Sequence, residues 1–576
     1  MEAKLDRRDF LKGAAVGAAG IGVASMLGAC TPQQNGGDEP EATAPATSTT
    51  DGDLILNAEL ADSKWSFEIP PDPIPDSDIK EIVEAEIVVV GAGTSGLCTA
   101  VSAAEQGADV LLISASKAPV SRGGSNHAIN SKVMEREGVE PYDLEKFMMR
   151  ERILAANSVD QKKWSKLFNN NEEAMNWLID LMEERGIPMT LETCAPEVVF
   201  GPDDPQFIPL AAHGAYSEDY DPGSGQPLIV NALAEILQEK GGRILFETKG
   251  VQLIRDDDNT GRVSAIIAQD LNTEEYTKYA ASKAVVLATG DFSADKEMMK
   301  KYCPSMLPLI ADDAGEDYDV GPATTGLYKG DGHKMGLWIG AGWQRNVPNC
   351  PMVNVQQGTA AQPYCGHCGL TLNINGERYS NEHATHSYTG RALMLQPGQV
   401  SFPIWATNYA SEYGPWYARG AFDLPEMTTE EVIADWEDKV ESGRFVKADT
   451  LEELVELLEL PKETALASIA RYNELCEKGH DDDFFKRADQ MVPVRDAPFY
   501  GARVGGRFLT VMGGLRTNVD LQVCQDDDTP IEGLYVVGTM VGDFFNNTYT
   551  FLMEGLNYGG CCVTFGYVLG RELAAK

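Results

Sequence analysis

The residues Gly91-Ala92-Gly93-Thr94-Ser95-Gly96 have the types and spacing to hold a pyrophosphate. Gly91 permits a tight turn, Gly93 lets the backbone approach the phosphates, and Gly96 lets a helix lie against the preceding strand. The amides at Thr94 and Ser95 open that helix, whose N-terminus carries free N–H groups and a partial positive charge suited to an anion. An acidic residue ordinarily ends the second strand and binds the ribose hydroxyls, but here Ile113-Ser114-Ala115-Ser116 occupies the position. Ser114 or Ser116 can hydrogen-bond a hydroxyl, more weakly than a carboxylate would. Cys365-Gly366-His367-Cys368 is the other group that could do chemistry, by binding a metal or an iron–sulfur cluster with Cys350. No second pair completes a four-ligand set, so redox or structural thiols are the better reading and no metal is expected.

The elements around the glycines are the ones that a dinucleotide site requires. Residues 86–90 form a continuous apolar, β-branched run, as in a strand buried on both faces. A helical stretch at 97–106 and a second strand at 109–113 complete a βαβ unit. Residues 284–290 and 533–538 are further strands, each ending in a glycine turn. Between 346 and 510 the pattern is α+β, with strands at 370–374 and 402–406, a turn at Asn375-Gly376, and helices near 430–440, 451–458 and 462–478. That segment carries no motif of its own.

A length of 576 residues allows two or three domains. The balance of 47 basic and 88 acidic side chains, net −41, excludes nucleic acid as a partner and argues against broad adhesion to anionic lipid. Residues 1–30 have the order of a signal peptide: Arg7-Arg8, an apolar Gly/Ala-rich run from Gly13 to Ala29, then Leu27-Gly28-Ala29-Cys30. The run is too short for a confident membrane span of ~20 residues. It resembles a twin-arginine signal, which implies export of the folded protein across the cytoplasmic membrane to the periplasm or cell surface. The last four residues resemble a lipobox that would anchor the chain through Cys30. Residues 31–83, rich in Pro, Thr, Ala, Gly and Asp, read as a flexible linker. The cysteines after Cys30 are irregularly spaced and set no disulfide framework.

From 84 onward the chain resembles the FAD flavoproteins of fumarate reductases and succinate dehydrogenases, and the bacterial ketosteroid dehydrogenases. The strands at 284–290 and 533–538 are similar to their later FAD-contacting strands, and Arg122-Gly123-Gly124-Ser125-Asn126 to the loop that passes the flavin ring. The run from Asn557 through Gly559-Gly560 to Thr564-Phe565-Gly566-Tyr567 is similar to the opening of their last helix. A helix N-terminus there would stabilise the reduced ring. The resemblance implies an α/β fold, a Rossmann-like FAD-binding domain at 84–345 and 511–576 interrupted by an α+β capping domain at 346–510. It implies cofactor contacts from Gly123, Gly124, Ser125, Thr289, Gly290, Gly538, Asp543, Gly559 and Gly560 beside the first glycine motif. His127 suggests covalent attachment, but the attachment position aligns nearer Ser125, so non-covalent FAD is expected.

The resemblance departs where fumarate reductases bind substrate. Their run ending in a proton-donating arginine is matched by Gly376-Glu377-Arg378-Tyr379-Ser380-Asn381-Glu382-His383-Ala384-Thr385-His386, with His386 in that place. Cys350, Thr510 and Asn557 stand where their two substrate-binding histidines and carboxylate-clamping arginine fall. Losing several charge-assisted contacts of ~1.5–3 kcal/mol each leaves no useful grip on fumarate. The reaction implied is reduction of an activated C=C bond in an enone or acrylate-like substrate, with electrons from an external donor, most naturally a cytochrome. Tyr549, similar in position to an acid–base tyrosine of the ketosteroid enzymes, is the expected acid. His386 orients or stabilises charge, and Arg391 stands in reserve. The alternatives are a dehydrogenase of the ketosteroid type and an electron-transfer flavoprotein with no substrate of its own.

Overall fold

The computed structural model describes residues 64–193, 207–217, 225–310, 328–355, 369–384, 386–414, 416, 420–421 and 427–576. The signal segment, the linker up to residue 63 and the Cys365–Cys368 pair lie outside these residues.

The run at 86–90 is the buried half of a longer strand, Ile79–Val90, whose residues 87–90 have almost no exposed surface. It is parallel to Tyr276–Leu287 on one side and to Val110–Ile113 on the other, with Val88 opposite Val285 and Leu111. Arg243–Leu245 extends the sheet beyond Val110–Ile113, and Pro530–Val536 extends it beyond Tyr276–Leu287, all parallel. Gln522–Cys524 closes that edge antiparallel, and the hairpin Thr248–Arg255/Val263–Asp270 hangs from Tyr276–Leu287. Burial of the central strands on both faces explains why they are uninterrupted Val, Ile and Leu. The helices Thr94–Glu105 and Phe565–Ala574 lie directly against each other. A Cβ on Gly570 would stand 2.4 Å from the Thr99 carbonyl.

A second, antiparallel sheet runs in the order Cys350–Val355, Val504–Met512, Val400–Ala406, Phe499–Gly501, Val446–Ala448, with Leu370–Asn373 beside Val400–Ala406. The helices Thr429–Glu441, Leu451–Leu457 and Lys462–Lys478 cover it. They bury two local cores, one around Leu372, Ile404 and Tyr472, the other around Trp405, Trp436 and Tyr500. Met512 and Cys350, at the sheet's other edge, belong to the main core. This is the α/β architecture that the sequence implies.

One expectation needs correction. The linker read as running to residue 83 is ordered from residue 64: Ser66–Glu68 and Asp76–Asp78 are short 3-10 turns and the first strand starts at Ile79. The reason is aromatic anchoring. Phe67 is buried, its carbonyl accepts from Trp338 Nε1 at 2.9 Å, and Tyr302 packs against its ring.

Candidate active site

The glycine motif forms the turn expected of it. Gly91 has φ +118°, and a Cβ there would lie 2.3 Å from the Ala288 carbonyl of the neighbouring strand's turn. A Cβ on Gly96 would stand 2.0 Å from the Gly91 carbonyl, so the helix Thr94–Glu105 sits against the turn at a distance only glycine permits. Gly93 caps this helix with extended backbone, and no side chain occupies the cap. Thr94 Oγ1 is held instead by Gln226 Nε2 at 2.9 Å and by the Ser121 hydroxyl at 3.0 Å, while Ser95 backs onto Gly538. The helix therefore presents first-turn amides that no side chain among the described residues caps, which fits a pyrophosphate. Ser114 and Ser116 end the second strand as a hydroxyl pair 2.8 Å apart, and Ser116 Oγ donates to the Ala118 carbonyl at 2.7 Å.

Beyond the motif, Thr289 Oγ1 reaches Met540 Sδ at 3.3 Å, and Gly290 is required by the Tyr328 ring, which a Cβ would meet at 2.5 Å. Gly123 and Gly124 follow Arg122, whose carbonyl accepts from the Tyr558 hydroxyl at 2.5 Å. Ser125 Oγ donates to Glu192. Gly559 and Gly560 lie in a π-helical stretch, Asn557–Thr564, which precedes the last α-helix. Such stretches gather at functional sites. A Cβ on Gly559 would stand 2.0 Å from the His127 carbonyl, and one on Gly560 would stand 2.4 Å from Leu167 Cδ1. Asn171 Nδ2 ties the region together, donating to the His127 carbonyl at 3.1 Å and to Thr564 Oγ1 at 3.0 Å. Among the described residues, Asn126 Oδ1 and Asn557 Oδ1 are buried polar atoms without a hydrogen-bond partner. Burial and the neighbouring His213 hold His127 down at about 3, so its ring is neutral. A flavin, with its ring of acceptors and donors, fits a wall of that kind.

Asp543 serves a junction in the chain. Its carboxylate accepts from the Arg345 and Asn346 amides, both at 2.9 Å, and its carbonyl accepts from Asp160 N at 2.8 Å. These bonds engage Oδ1 and the backbone carbonyl of Asp543.

Of the expected acid–base residues, Tyr549 is 3% exposed, packed edge-on against Phe551, and its hydroxyl accepts from Asn557 N at 3.4 Å. Burial keeps its pKa raised, with the charges of Glu554, Cys561 and Cys350 within reach. Tyr549 thus shares its surroundings with two of the positions that depart from the fumarate enzymes. Arg391 lies on the helix His386–Met394, donates to the Asn547 carbonyl, and is close enough to Cys350 to lower its thiol pKa against the effect of burial. His386 opens that helix, and its side chain lies outside the described residues. Thr510 Oγ1 donates at 2.5 Å to Asp291, a buried carboxylate whose pKa burial raises.

Sequence reasoning missed an acidic–basic pair beneath Tyr549. Glu151 is 4% exposed, accepts from Arg150 Nη2 and Thr550 Oγ1, both at 3.1 Å, and feels the Tyr388 hydroxyl of the cap. Charged residues inside a helical stretch read as solvated, and only tertiary structure buries this one. The matched run at 376–386 has a structural role as well. Arg378 bridges Glu382 at 2.9 Å and Asp481 at 2.8 Å, and Lys486 meets Glu382 at 3.2 Å, all with side chains at most 6% exposed. Burial works against ionising Asp481, but Arg378 and the Lys486 and Phe484 amides bring its pKa to about 2.

A parallel sheet that ends at a glycine-cradled helix, beside a second sheet whose Leu509 carbonyl accepts from Arg122, is a setting that fits an FAD-dependent oxidoreductase. The chain belongs to the family described as "FAD binding domain", whose model matches residues 86–550. A second model, the twin-arginine translocation pathway signal sequence, matches residues 4–24 and marks the chain for export across the cytoplasmic membrane. The vinyl phenol reductase of Lactiplantibacillus plantarum is 26% identical over 519 residues, which are 84% of this chain and 95% of that one. The urocanate reductase of Eggerthella lenta is 25% identical over 540 residues, covering 92% and 80%. Among solved structures, a 3-ketosteroid-Δ4-(5α)-dehydrogenase from Rhodococcus jostii aligns with TM-score 0.66 and 20% identity, covering 88% of this chain and all of that one, which shows a shared fold. No helix among the described residues is long and apolar enough to cross a membrane.

Proposed function

We propose that the chain reduces an activated C=C bond in an enone, a vinyl phenol or an aromatic acrylate, and that fumarate is not its substrate. The observation that carries this reading is the Tyr549 hydroxyl, a buried neutral donor beside Asn557 and Cys350, where the fumarate enzymes hold a dicarboxylate with cations. A phenol, an amide and a thiol in those places suit an aromatic side chain better than a dicarboxylate, and the names of two relatives, vinyl phenol reductase and urocanate reductase, point the same way. Bound FAD, once reduced, would supply hydride chemistry at one carbon of the double bond. Tyr549 supplies the proton to the other: its O–H bond breaks as the C–H bond forms. General acid catalysis of this kind contributes roughly 10²–10⁴-fold.

In this reading His386 orients the substrate, Arg391 supports the far wall, and residues 346–510 cap a flavin domain made of 84–345 and 511–576. FAD is held without a covalent bond. An exported cytochrome delivers electrons, and Cys30 carries a lipid anchor. The test is an anaerobic assay with a reduced dye against a vinyl phenol, an aromatic acrylate, an enone, urocanate and fumarate. At least one of the first three should be reduced, with fumarate near background. Robust fumarate reduction, or no turnover of any of the five, overturns the reading.

A further inference from the structure

We propose that Gln226 makes the two ends of the FAD cradle act as one unit, by tying the loop 122–126 to the first turn of the helix Thr94–Glu105. It is a positioning residue for the cofactor, whichever alkene is reduced. Backbone contacts set its place. Gly225 lies so close to the strand Ala212–Ala215 that a Cβ on it would stand 1.9 Å from the Ala215 carbonyl. Gln226 follows, opening the helix Gln226–Glu239, and its backbone N–H donates to the Gly123 carbonyl at 2.9 Å. The residue has no exposed surface, and both ends of its side-chain amide are bonded. Oε1 accepts from Asn126 Nδ2 at 2.9 Å, and Nε2 donates to Thr94 Oγ1 at 2.9 Å. A neighbour fixes that polarity. Asn126 Nδ2 also meets the Gly124 and His213 carbonyls, at 2.6 and 3.2 Å, so it must be the nitrogen, and the Gln226 atom facing it must be the oxygen.

From Thr94 the bonds continue as a belt. Thr94 Oγ1 accepts from Gln226 and donates to Ser121 Oγ at 3.0 Å, and Ser121 Oγ donates to the Tyr558 hydroxyl at 3.4 Å. Tyr558 closes the circuit by donating to the Arg122 carbonyl at 2.5 Å. Every donor points the same way round, from Asn126 to Arg122, so each bond polarises the next. Gln226 is the member bonded at once to the loop, at Gly123 and Asn126, and to the helix, at Thr94. The helix end fits the pyrophosphate, and the loop end resembles the stretch that passes the flavin ring. There Asn126 Oδ1, a buried acceptor without a partner among the described residues, fits a ring N–H. A dinucleotide is a two-ended ligand, and it binds more tightly than either half when both ends of its site are held in register beforehand. Gln226 supplies that register.

The test uses the full chain stripped of flavin, with ADP as the probe of the phosphate end and FAD as the probe of both. Gln226→Leu leaves Thr94 bonded to Ser121, and Asn126 Nδ2 bonded to two carbonyls. ADP should therefore bind the variant within about twofold of the wild type, while FAD weakens roughly 10- to 100-fold, the scale of two lost buried hydrogen bonds. A loss of FAD affinity no larger than the loss of ADP affinity overturns the proposal, because a residue that only helps the chain to fold would weaken both alike. A second measurement needs no variant. In the wild type, ADP should slow hydrogen exchange at the amides 123–126, beyond its own reach, because the belt passes the order of the helix turn to the loop. Unchanged exchange there refutes the coupling, as does a wild-type chain that takes up no ADP. In Gln226→Leu the ADP-dependent slowing should vanish. If it persists, the coupling runs through Ser121 and the role given to Gln226 falls. Should Gln226→Leu fail to fold, Gln226→Met, which keeps the length of the side chain, carries the same comparison with the same outcomes.

Discussion

Two alanine substitutions in one glycine motif should fail in different ways. At Gly96 the new Cβ would stand 2.0 Å from the Gly91 carbonyl and 3.2 Å from Ala288 Cβ, so the helix Thr94–Glu105 must move off the turn by more than an ångström. Overpacking of this kind costs about 1–3 kcal/mol. Because every 1.4 kcal/mol is tenfold in affinity, FAD should bind roughly 5- to 150-fold more weakly if the whole cost falls on the bound state. Part of it will fall on the apoprotein, whose melting temperature should drop. At Gly93 the nearest protein atom to a new Cβ is the Val120 carbonyl at 3.5 Å, an ordinary contact, and φ is −87°, which any residue adopts. Gly93→Ala should therefore leave the apoprotein melting as before. Its methyl group would occupy the space through which a pyrophosphate approaches the backbone, so FAD affinity should still be lost. Thermal melting of flavin-stripped protein, followed by FAD titration on flavin fluorescence, separates the two. If Gly93→Ala binds FAD like the wild type, the phosphates lie elsewhere. Normal melting and normal affinity for Gly96→Ala would mean that the contact between helix and turn is not as close as described.

Tyr549→Phe should keep bound flavin and its reduction by dye, yet lose at least ~100-fold in turnover of an active alkene, whereas His386→Ala should weaken binding and rate together. In acid, the drop of the Asp481 pKa from 3.8 to about 2 contributes ~2–3 kcal/mol to stability. A depressed carboxylate contributes fully above its unfolded pKa, so this part should hold above pH ~4 and disappear as pH falls toward ~2. Urea melts of the wild type and Asp481→Asn across that window would show the difference vanishing at the acid end. Arg378→Met strands the buried Asp481 carboxylate and leaves Glu382 to Lys486, and it should cost about 3–5 kcal/mol at neutral pH, read by the same melts. Acid precipitation of the holoenzyme should release yellow flavin into the supernatant, and flavin that stays with the pellet would overturn non-covalent binding.

The flavin half was legible because its signals are local. The spacing of Gly91, Gly93 and Gly96 is read within six residues, Gly96 answers to the Gly91 carbonyl, and the strand at 86–90 is apolar because both its faces are covered. The cap helices at 429–441 and 462–478 were equally readable from periodicity. What escaped was anything decided by distant chain. Phe67 looked like part of a linker until Trp338 and Tyr302 supplied its partners. Asp543 followed an FAD strand and was read as a cofactor contact, and its tie to the amides at 345 and 346 shows only in the fold. Glu151 sits among the charged residues of an ordinary amphipathic helix, and nothing near it in sequence indicates that Thr550 covers it.

The close packing of the helix Phe565–Ala574 on Thr94–Glu105 sets a schedule for the protein's birth. Ser102 Oγ bonds the Tyr567 carbonyl across 465 residues of chain. At roughly 5–20 residues per second, the ribosome makes the second partner about half a minute to a minute and a half after the first. Until then the strand Ile79–Val90 waits for Pro530–Val536 to complete its sheet, and Ser95 in the first turn of the helix has no Gly538 against it. A cofactor cannot be seated in a half-built cradle, so flavin loading must follow synthesis of that last segment. A twin-arginine signal, emerging first and passing only finished cargo, is matched to a protein assembled in that order.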